Sequence, residues 1–289
     1  MKTLERVAVS GRIRAIIDFG ASPMQRDPRP SPASNGDDLP QRLREGLRLL
    51  RAGQHDPAAV LFLQIMARAP ENADAPHLLG LVCAAKGELE RARHYLQQAI
   101  GLQPHAAIYH NNLGNVLKEL GELDAALESA RRASALDPGF ADAFNSTGAI
   151  LTDLARYEEA LPALETAVAL APNHAGAHYN LGRVHAKRGA HESALASLQR
   201  ALELNPAYDE ALVALGEVYA SIDRWEEAEH QWERSLALRP ERLALRVRLA
   251  ERYLKTGRLE QSATLIAAGL ERWPDSAELL ALAEHARDA

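Results

Sequence analysis

The sequence is poor in cysteine and in aromatic residues, and both shortages narrow the possible folds. A single cysteine, Cys83, excludes a disulfide within the chain. Aromatic residues make up 5% of the chain, whereas hydrophobic residues make up 47% and include many alanines. This composition suits thin helices that pack closely and argues against a large β core. The predicted fold class is therefore all-α.

Long apolar runs and an excess of positive charge are also missing. In residues 1–38 no apolar stretch, residues 15–17 included, is longer than three residues, which is too short for a secretory signal or a membrane span. We therefore expect a cytoplasmic protein that does not bind membranes. The net charge is −6, with +1 on residues 1–38 and −7 on the remainder. With a net negative charge, the repeats lack the excess of positive charge that attracts the phosphates of nucleic acid.

The strongest pattern that the sequence does contain is a period of 34 residues. Proline recurs at this spacing seven times, at Pro70, Pro104, Pro138, Pro172, Pro206, Pro240 and Pro274. A fixed period of this length predicts an array of structural repeats. If each proline is called position 32, the seven repeats begin at Leu39, Ala73, Ala107, Ala141, Ala175, Asp209 and Leu243.

Each repeat carries two apolar stripes at helical spacing, which predict an antiparallel pair of helices, A and B. Positions 4, 7, 8 and 11 form the stripe of helix A, and positions 20, 24, 27 and 28 form that of helix B. Position 8 is mostly glycine and position 20 mostly alanine, so we expect the two backbones to approach closely there. Glycine at position 15 predicts the left-handed residue that ends helix A, and the acidic position 18 marks the first turn of helix B. Proline at position 32 follows the end of helix B.

These columns resemble the tetratricopeptide repeat family, and the resemblance covers residues 39–276. It implies a right-handed superhelical solenoid of antiparallel helix pairs, with helix A on the concave side and a protein or peptide partner in the groove. The stretches AIYHNNLGNVLKELGELDAAL and GAHYNLGRVHAKRGAHESAL are similar to the repeats of O-linked N-acetylglucosamine transferases. Those repeats carry an asparagine ladder along the groove, and no segment here resembles the catalytic domain of those enzymes.

The two ends of the chain do not follow the period. Residues 1–38 form a tail, and its stretch DPRPSPASNGDD is too rich in proline, serine and acid to bury a core, so we expect disorder. The alternative is that residues 7–19 form a short strand or helix that docks on the first repeat. Residues 277–289 are predicted to form a capping helix over the seventh repeat.

Helix A is expected to present positions 5, 6, 9, 12 and 13 to a partner. In repeats one and two these positions are largely apolar, which predicts either an apolar entrance to the groove or a contact with the tail or with a second copy. The end repeats are therefore open to self-association. In repeats three to five they are polar and give the predicted binding residues: Asn111, Asn112, Asn115, Lys118, Asn145, Tyr179, Asn180, Arg183 and Lys187. An amide both donates and accepts and so can hold the backbone of an extended peptide, and the two cations would favour an acidic segment. A solvated helix face is the alternative, although asparagine is a poor helix former.

Residue patterns that carry catalysis are missing. The sequence has no HExxH, GxSxG, P-loop or GxGxxG motif. His174, His178, His185 and His191 are close in sequence, but their repeat positions point them in different directions, so no metal site is expected. We predict a protein that is not an enzyme and uses no cofactor or metal: a scaffold that binds a protein segment in its groove. The alternative hypothesis is a detached substrate-recruiting or regulatory module of a transferase system.

Overall fold

The computed structural model describes residues 39–288, so the predicted tail, residues 1–38, lies outside the described part of the chain. Within that part there are fifteen helices and no strand. In chain order they are α1 Leu39–Arg51, α2 His55–Arg68, α3 Asp74–Ala85, α4 Leu89–Leu102, α5 Ala107–Glu119, α6 Leu123–Leu136, α7 Ala141–Asp153, α8 Tyr157–Leu170, α9 Ala175–Lys187, α10 His191–Leu204, α11 Asp209–Ser221, α12 Trp225–Leu238, α13 Leu243–Lys255, α14 Leu259–Arg272 and α15 Ala277–Asp288.

The odd-numbered helices from α1 to α13 are the A helices, and the even-numbered helices from α2 to α14 are the B helices. A turn of a few residues joins each A helix to its B helix, which makes the pair an antiparallel hairpin. Each A helix packs against its own B helix. The predicted all-α repeat array is thus confirmed. Within residues 39–288, no helix is both long enough and apolar enough to cross a membrane.

Helix A ends in every repeat on a left-handed residue at position 15. Five of these residues are glycine, as predicted, with φ between 71° and 82°. The other two are Ala155 and Asp223, each with φ 58°. In repeat four, the amide of Ala155 donates to the carbonyl of Thr152 (3.0 Å) and that of Arg156 donates to Leu151 (2.8 Å). Since these are the two bonds of a Schellman motif, the turn keeps the same backbone with or without glycine.

The close approach of helices A and B explains the glycines at position 8. A Cβ atom added to Gly182 would lie 2.6 Å from Cγ of Leu198, and 3.3 Å from the carbonyl oxygen of Ala194. Leu198 occupies position 24 and Ala194 position 20 of the same repeat. The column of small residues therefore marks the contact between the two helix backbones, as the sequence predicted.

The chain divides after Pro172 into two compact units. In the first, helices α1 to α8 pack as successive neighbours around a core that includes Phe62, Leu79 and Val82, all essentially buried. Helix α3 is buried on every side, since all residues from Ala75 to Ala84 are buried.

The second unit, α9 to α15, has a core built around Trp232 and Tyr253, and it also contains buried ion pairs. Glu229 on α12 accepts hydrogen bonds from Arg252 (3.0 Å) and Arg258 (2.6 Å) of the next repeat. Although burial alone would raise the pKa of Glu229, the guanidinium groups of Arg258 and Arg252 hold it below its usual value. These bonds join the sixth and seventh repeats.

The seventh repeat departs from the repeat pattern, and the structure shows how the departures compensate one another. Ser262 replaces the usual alanine, and its hydroxyl donates to the carbonyl of Ala250 (2.9 Å). Gly269 also replaces an alanine, where an added Cβ would lie 2.8 Å from Cδ of Arg246 and 2.6 Å from Cδ1 of Leu279. Glycine thus leaves room for the buried Arg246 and for Leu279, which extends from α15 and is fully buried.

Candidate protein-binding surface

We use the term A face for positions 5, 6, 9, 12 and 13 of the A helices. In the first unit the A face carries five of the predicted binding residues, on α5 and α7: Asn111, Asn112, Asn115, Lys118 and Asn145. Asn111 and Asn112 are each only 1% exposed. The expectation that helix A presents these two side chains on an open polar surface is therefore corrected. Asn115, Lys118 and Asn145 are partly exposed.

Asn112 is buried because it forms a contact between repeats. Its Nδ2 atom lies 2.8 Å from Nε2 of His77 on α3, which is 3% exposed. The His77 ring also packs on the ring of Tyr109, with centroids 4.5 Å apart. Burial lowers the pKa of His77 to about 3, so the ring is neutral and its Nε2 atom can accept from the amide. Sequence reasoning missed His77, since its role appears only when its position is paired with that of Asn112 one repeat later.

A second polar contact joins α5 to α7. The hydroxyl of Ser146 donates to Oδ1 of Asn115 (3.1 Å). This bond uses the carbonyl oxygen of Asn115, so the amide N–H groups remain as donors. Two of the five asparagines at which a peptide-binding ladder was predicted therefore hold neighbouring A helices together.

In the second unit the A face of α9 carries the other four predicted residues: Tyr179, Asn180, Arg183 and Lys187. Tyr179, Arg183 and Lys187 are four residues apart and lie on the same side of the helix. Tyr179 and Arg183 are partly exposed and Lys187 is exposed, whereas Asn180 is 9% exposed. The structure thus brings an aromatic ring and two cations together on one accessible helix face.

Tyr208 extends this cluster, although the sequence pattern did not single it out. Its ring centroid lies 5.0 Å from that of Tyr179, and Cζ of Arg183 lies 5.7 Å from the Tyr179 centroid. Burial raises the pKa of Tyr208, so the phenol stays protonated. The arrangement combines a stacked aromatic pair with a guanidinium above one ring, a geometry that favours cation–π attraction.

The histidines considered as metal ligands have separate local roles. Nδ1 of His174 accepts from the amide of Ala177 (3.0 Å) at the start of α9, and Nδ1 of His191 lies 3.3 Å from the hydroxyl of Ser221. No group of three or more potential metal ligands occurs within the described range 39–288. Cys83 is 2% exposed, and burial raises the pKa of its thiol.

The chain is a helical repeat protein in which every repeat is built in the same way. Each repeat has a pair of helices, a close contact between them at position 8 and a left-handed turn at position 15. The chain belongs to the tetratricopeptide repeat family, whose model matches residues 43–107, 84–141, 147–209, 191–244 and 213–277. No curated protein matches the chain.

Solved structures share this fold. TTC0263, a thermophilic TPR protein of Thermus thermophilus, is 29% identical over 63% of this chain and 100% of its own, with a TM-score of 0.57. PilF of Pseudomonas aeruginosa is 24% identical over 73% of this chain and 96% of its own, with a TM-score of 0.60. A chain of the APC/C hetero-tetramer Cut9–Hcn1 has a TM-score of 0.72 at 19% identity, matching 99% of this chain but 54% of its own length. The last two similarities concern the fold alone.

Proposed function

We propose that this protein is a non-catalytic scaffold whose A face binds a segment of another protein. The observation that carries the proposal is the accessible cluster of Tyr179, Arg183 and Lys187 on α9. Aromatic and arginine side chains are the residues most enriched at the centres of protein interfaces. Because two positive charges lie one helical turn apart, we infer that the bound segment is acidic.

The first unit supplies a different kind of contact in this proposal. Asn115, Lys118 and Asn145 are partly exposed on neighbouring A helices. The side-chain amides of Asn115 and Asn145 can hold the backbone of an extended segment, and such contacts do not depend on the sequence of that segment. Asn111 and Asn112 would contribute indirectly, because their burial fixes the positions of the helices that carry the accessible residues.

The experiment that tests the proposal compares two charge reversals of equal size. Arg183→Glu with Lys187→Glu changes the A face, whereas Arg132→Glu with Arg200→Glu changes two B helices and serves as the control. A peptide display library is selected on the unchanged protein, and the affinities of the recovered peptides are measured by calorimetry. We expect acidic peptides that bind the A-face variant at least about tenfold more weakly, since each charge contributes roughly 1 kcal/mol at a partly exposed site.

Two outcomes would contradict the proposal. If the recovered peptides are not acidic, the inferred chemistry of the partner is wrong. If the control variant loses as much affinity as the A-face variant, the binding surface does not lie on α9.

The alternative, a recruiting module for a separately encoded transferase, rests on the similarity of the repeats to those of O-linked N-acetylglucosamine transferases. It requires a continuous row of accessible asparagines, and the burial of Asn111 and Asn112 favours the more general scaffold. Affinity purification from the native cell separates the two proposals. Recovery of a transferase together with its substrates would favour the recruiting module.

A further inference from the structure

Arg246 on α13 is a buried cation that no carboxylate of the array neutralises. Apart from the neutral His77, the charged side chains buried within residues 39–288 are Asp209, Glu229 and Arg246. Asp209 accepts from Nε of Arg242 (2.6 Å), and Glu229 accepts from two arginines of the seventh repeat. Arg246, in contrast, forms no ion pair with any residue of this range.

Backbone carbonyls hold the guanidinium group of Arg246 in place. Nη1 donates to the carbonyl of Leu265 (3.3 Å) and Nη2 to that of Pro240 (3.1 Å). Nε is buried and has no hydrogen-bond partner. A guanidinium group has five N–H donors, so three of them have no acceptor among residues 39–288. Because neutral carbonyls do not cancel a full positive charge, the burial of Arg246 is only partly compensated.

A second guanidinium group, that of Arg272, acts on Arg246. Arg272 ends α14 and is exposed, and its Cζ atom lies 5.5 Å from the ring centroid of Trp273. Burial and the positive charge of Arg272 both lower the pKa of Arg246. The hydrogen bond to Glu229 has the opposite effect on Arg258, whose pKa is raised. The surroundings of Arg246 are therefore electropositive.

The acidic residues of this corner do not neutralise it. Asp209 is already bonded to Arg242, and its carboxylate also lies 3.2 Å from Nε of Arg239. The acidic residues that are close in sequence to Pro240 and Arg272 form no ion pair with Arg246: Glu241, Glu271, Asp275 and Glu278. An anion from outside the array is thus the missing counter-charge.

We propose that Arg246 and Arg272 bind a compact oxyanion, either a phosphate or a carboxylate group, where α13, α14 and the loop before α13 meet. Guanidinium groups recognise both through paired, charge-assisted hydrogen bonds. Arg246 is the fixed donor, since Leu265 and Pro240 hold it, and the exposed Arg272 can close over the ion. Because Arg246 is 7% exposed, a small anionic group fits better than a bulky one. The site uses none of the residues of the proposed A-face site and does not depend on it.

Nuclear magnetic resonance of the arginine side chains tests this site in the full-length chain. Sodium phosphate or sodium acetate replaces sodium chloride at constant ionic strength, and the Nε–H signals are followed. We expect the signal of Arg246 to shift, with half of the change at about 1–10 mM of phosphate or acetate. Arg252 is the internal control, because its Nε already donates to Glu229 (3.0 Å) and its signal should not shift. The anion that binds more tightly shows whether the group is a phosphate or a carboxylate.

Two variants of equal size separate this site from a general loss of charge. Arg272→Met should weaken anion binding at least about fivefold, measured on the Arg246 signal. Arg248→Met removes an exposed arginine of α13 that lies 3.2 Å from Glu217, and it should leave the affinity unchanged.

Thermal melting gives a second measurement. Arg246→Met removes the buried charge, so the variant should melt at the same or a higher temperature than the unchanged protein in chloride. The preferred anion should raise the melting temperature of the unchanged protein but not that of Arg246→Met, since it binds the folded site alone.

Three results would overturn the proposal. A constant Arg246 signal in both anions up to about 50 mM would show that the two carbonyls complete the surroundings of the guanidinium group. Equal shifts at Arg246 and Arg252 would reveal a general effect of the salt. An affinity that survives Arg272→Met would exclude Arg272 from the site.

Discussion

Replacing Ala155 with glycine is expected to stabilise the protein, because Ala155 ends α7 in a left-handed conformation with φ 58°. A residue with a Cβ atom is disfavoured in that conformation by roughly 1–2 kcal/mol. Glycine avoids this cost but loses about 0.5–1 kcal/mol more backbone entropy on folding. The net gain should therefore be about 0.5–1 kcal/mol.

The reverse change in the third repeat is the matched control. Gly121 has φ 82° at the same position, and nothing lies within 4 Å of a Cβ atom added there. Its amide donates to Lys118 (3.0 Å) as that of Ala155 donates to Thr152 (3.0 Å). Because neither substitution changes packing or hydrogen bonding, Gly121→Ala should destabilise the protein by a similar amount.

Urea unfolding, followed by circular dichroism, measures both changes, and hydrogen exchange locates them within the array. Since a repeat array can unfold in parts, the shift in exchange should be largest in the repeat that carries the substitution. If Ala155→Gly lowered the unfolding midpoint as much as Gly121→Ala does, the argument from left-handed strain would be refuted.

Three further changes test the packing. Gly182→Ala should destabilise the protein by about 1–3 kcal/mol in urea unfolding, since the added methyl overlaps the facing B helix; an unchanged midpoint would mean that the helices separate freely. Stability should be insensitive to His77 above pH 6.5 and should fall as pH drops toward its lowered folded pKa of about 3. Between pH 7 and 5 this loss is roughly 2 kcal/mol, and it should be absent in His77→Gln if His77 causes it. Truncation after Ser276 removes Leu279 from the space beside Gly269. We therefore expect aggregation, measured by light scattering, and faster hydrogen exchange in α14. If light scattering and hydrogen exchange are both unchanged, α15 does not cap the array.

Much of the fold could be predicted because its main contacts recur in every repeat. Helix A contacts helix B of the same repeat, so both sides of this contact lie within 34 residues. The need for a small residue there appears in the sequence repeatedly, at Gly182 and its counterparts. The left-handed turn was predicted from glycine alone, and Ala155 and Asp223 were missed as turn residues. Their side chains are tolerated there because the hydrogen bonds of the turn, rather than the residue type, impose the conformation.

The exposure of the binding residues could not be predicted in the same way. Whether Asn112 faces solvent depends on His77, which belongs to the preceding repeat and breaks no pattern in its own column. The departures of Arg246 and Gly269 in the seventh repeat make sense only as a pair, since each looks unfavourable alone. Contacts between different repeats are specific to their pair, and a periodic pattern contains no information about them.

The contacts of Asn112 with His77 and of Ser146 with Asn115 also restrict how the array can be rearranged. All repeats share one length and one hairpin geometry, which suggests interchangeable parts. However, each hydrogen bond requires a particular residue in one repeat and its complement in the next. Repeats two to four therefore form an ordered set, and a designer who shuffles, duplicates or transplants them must move the complementary partners together.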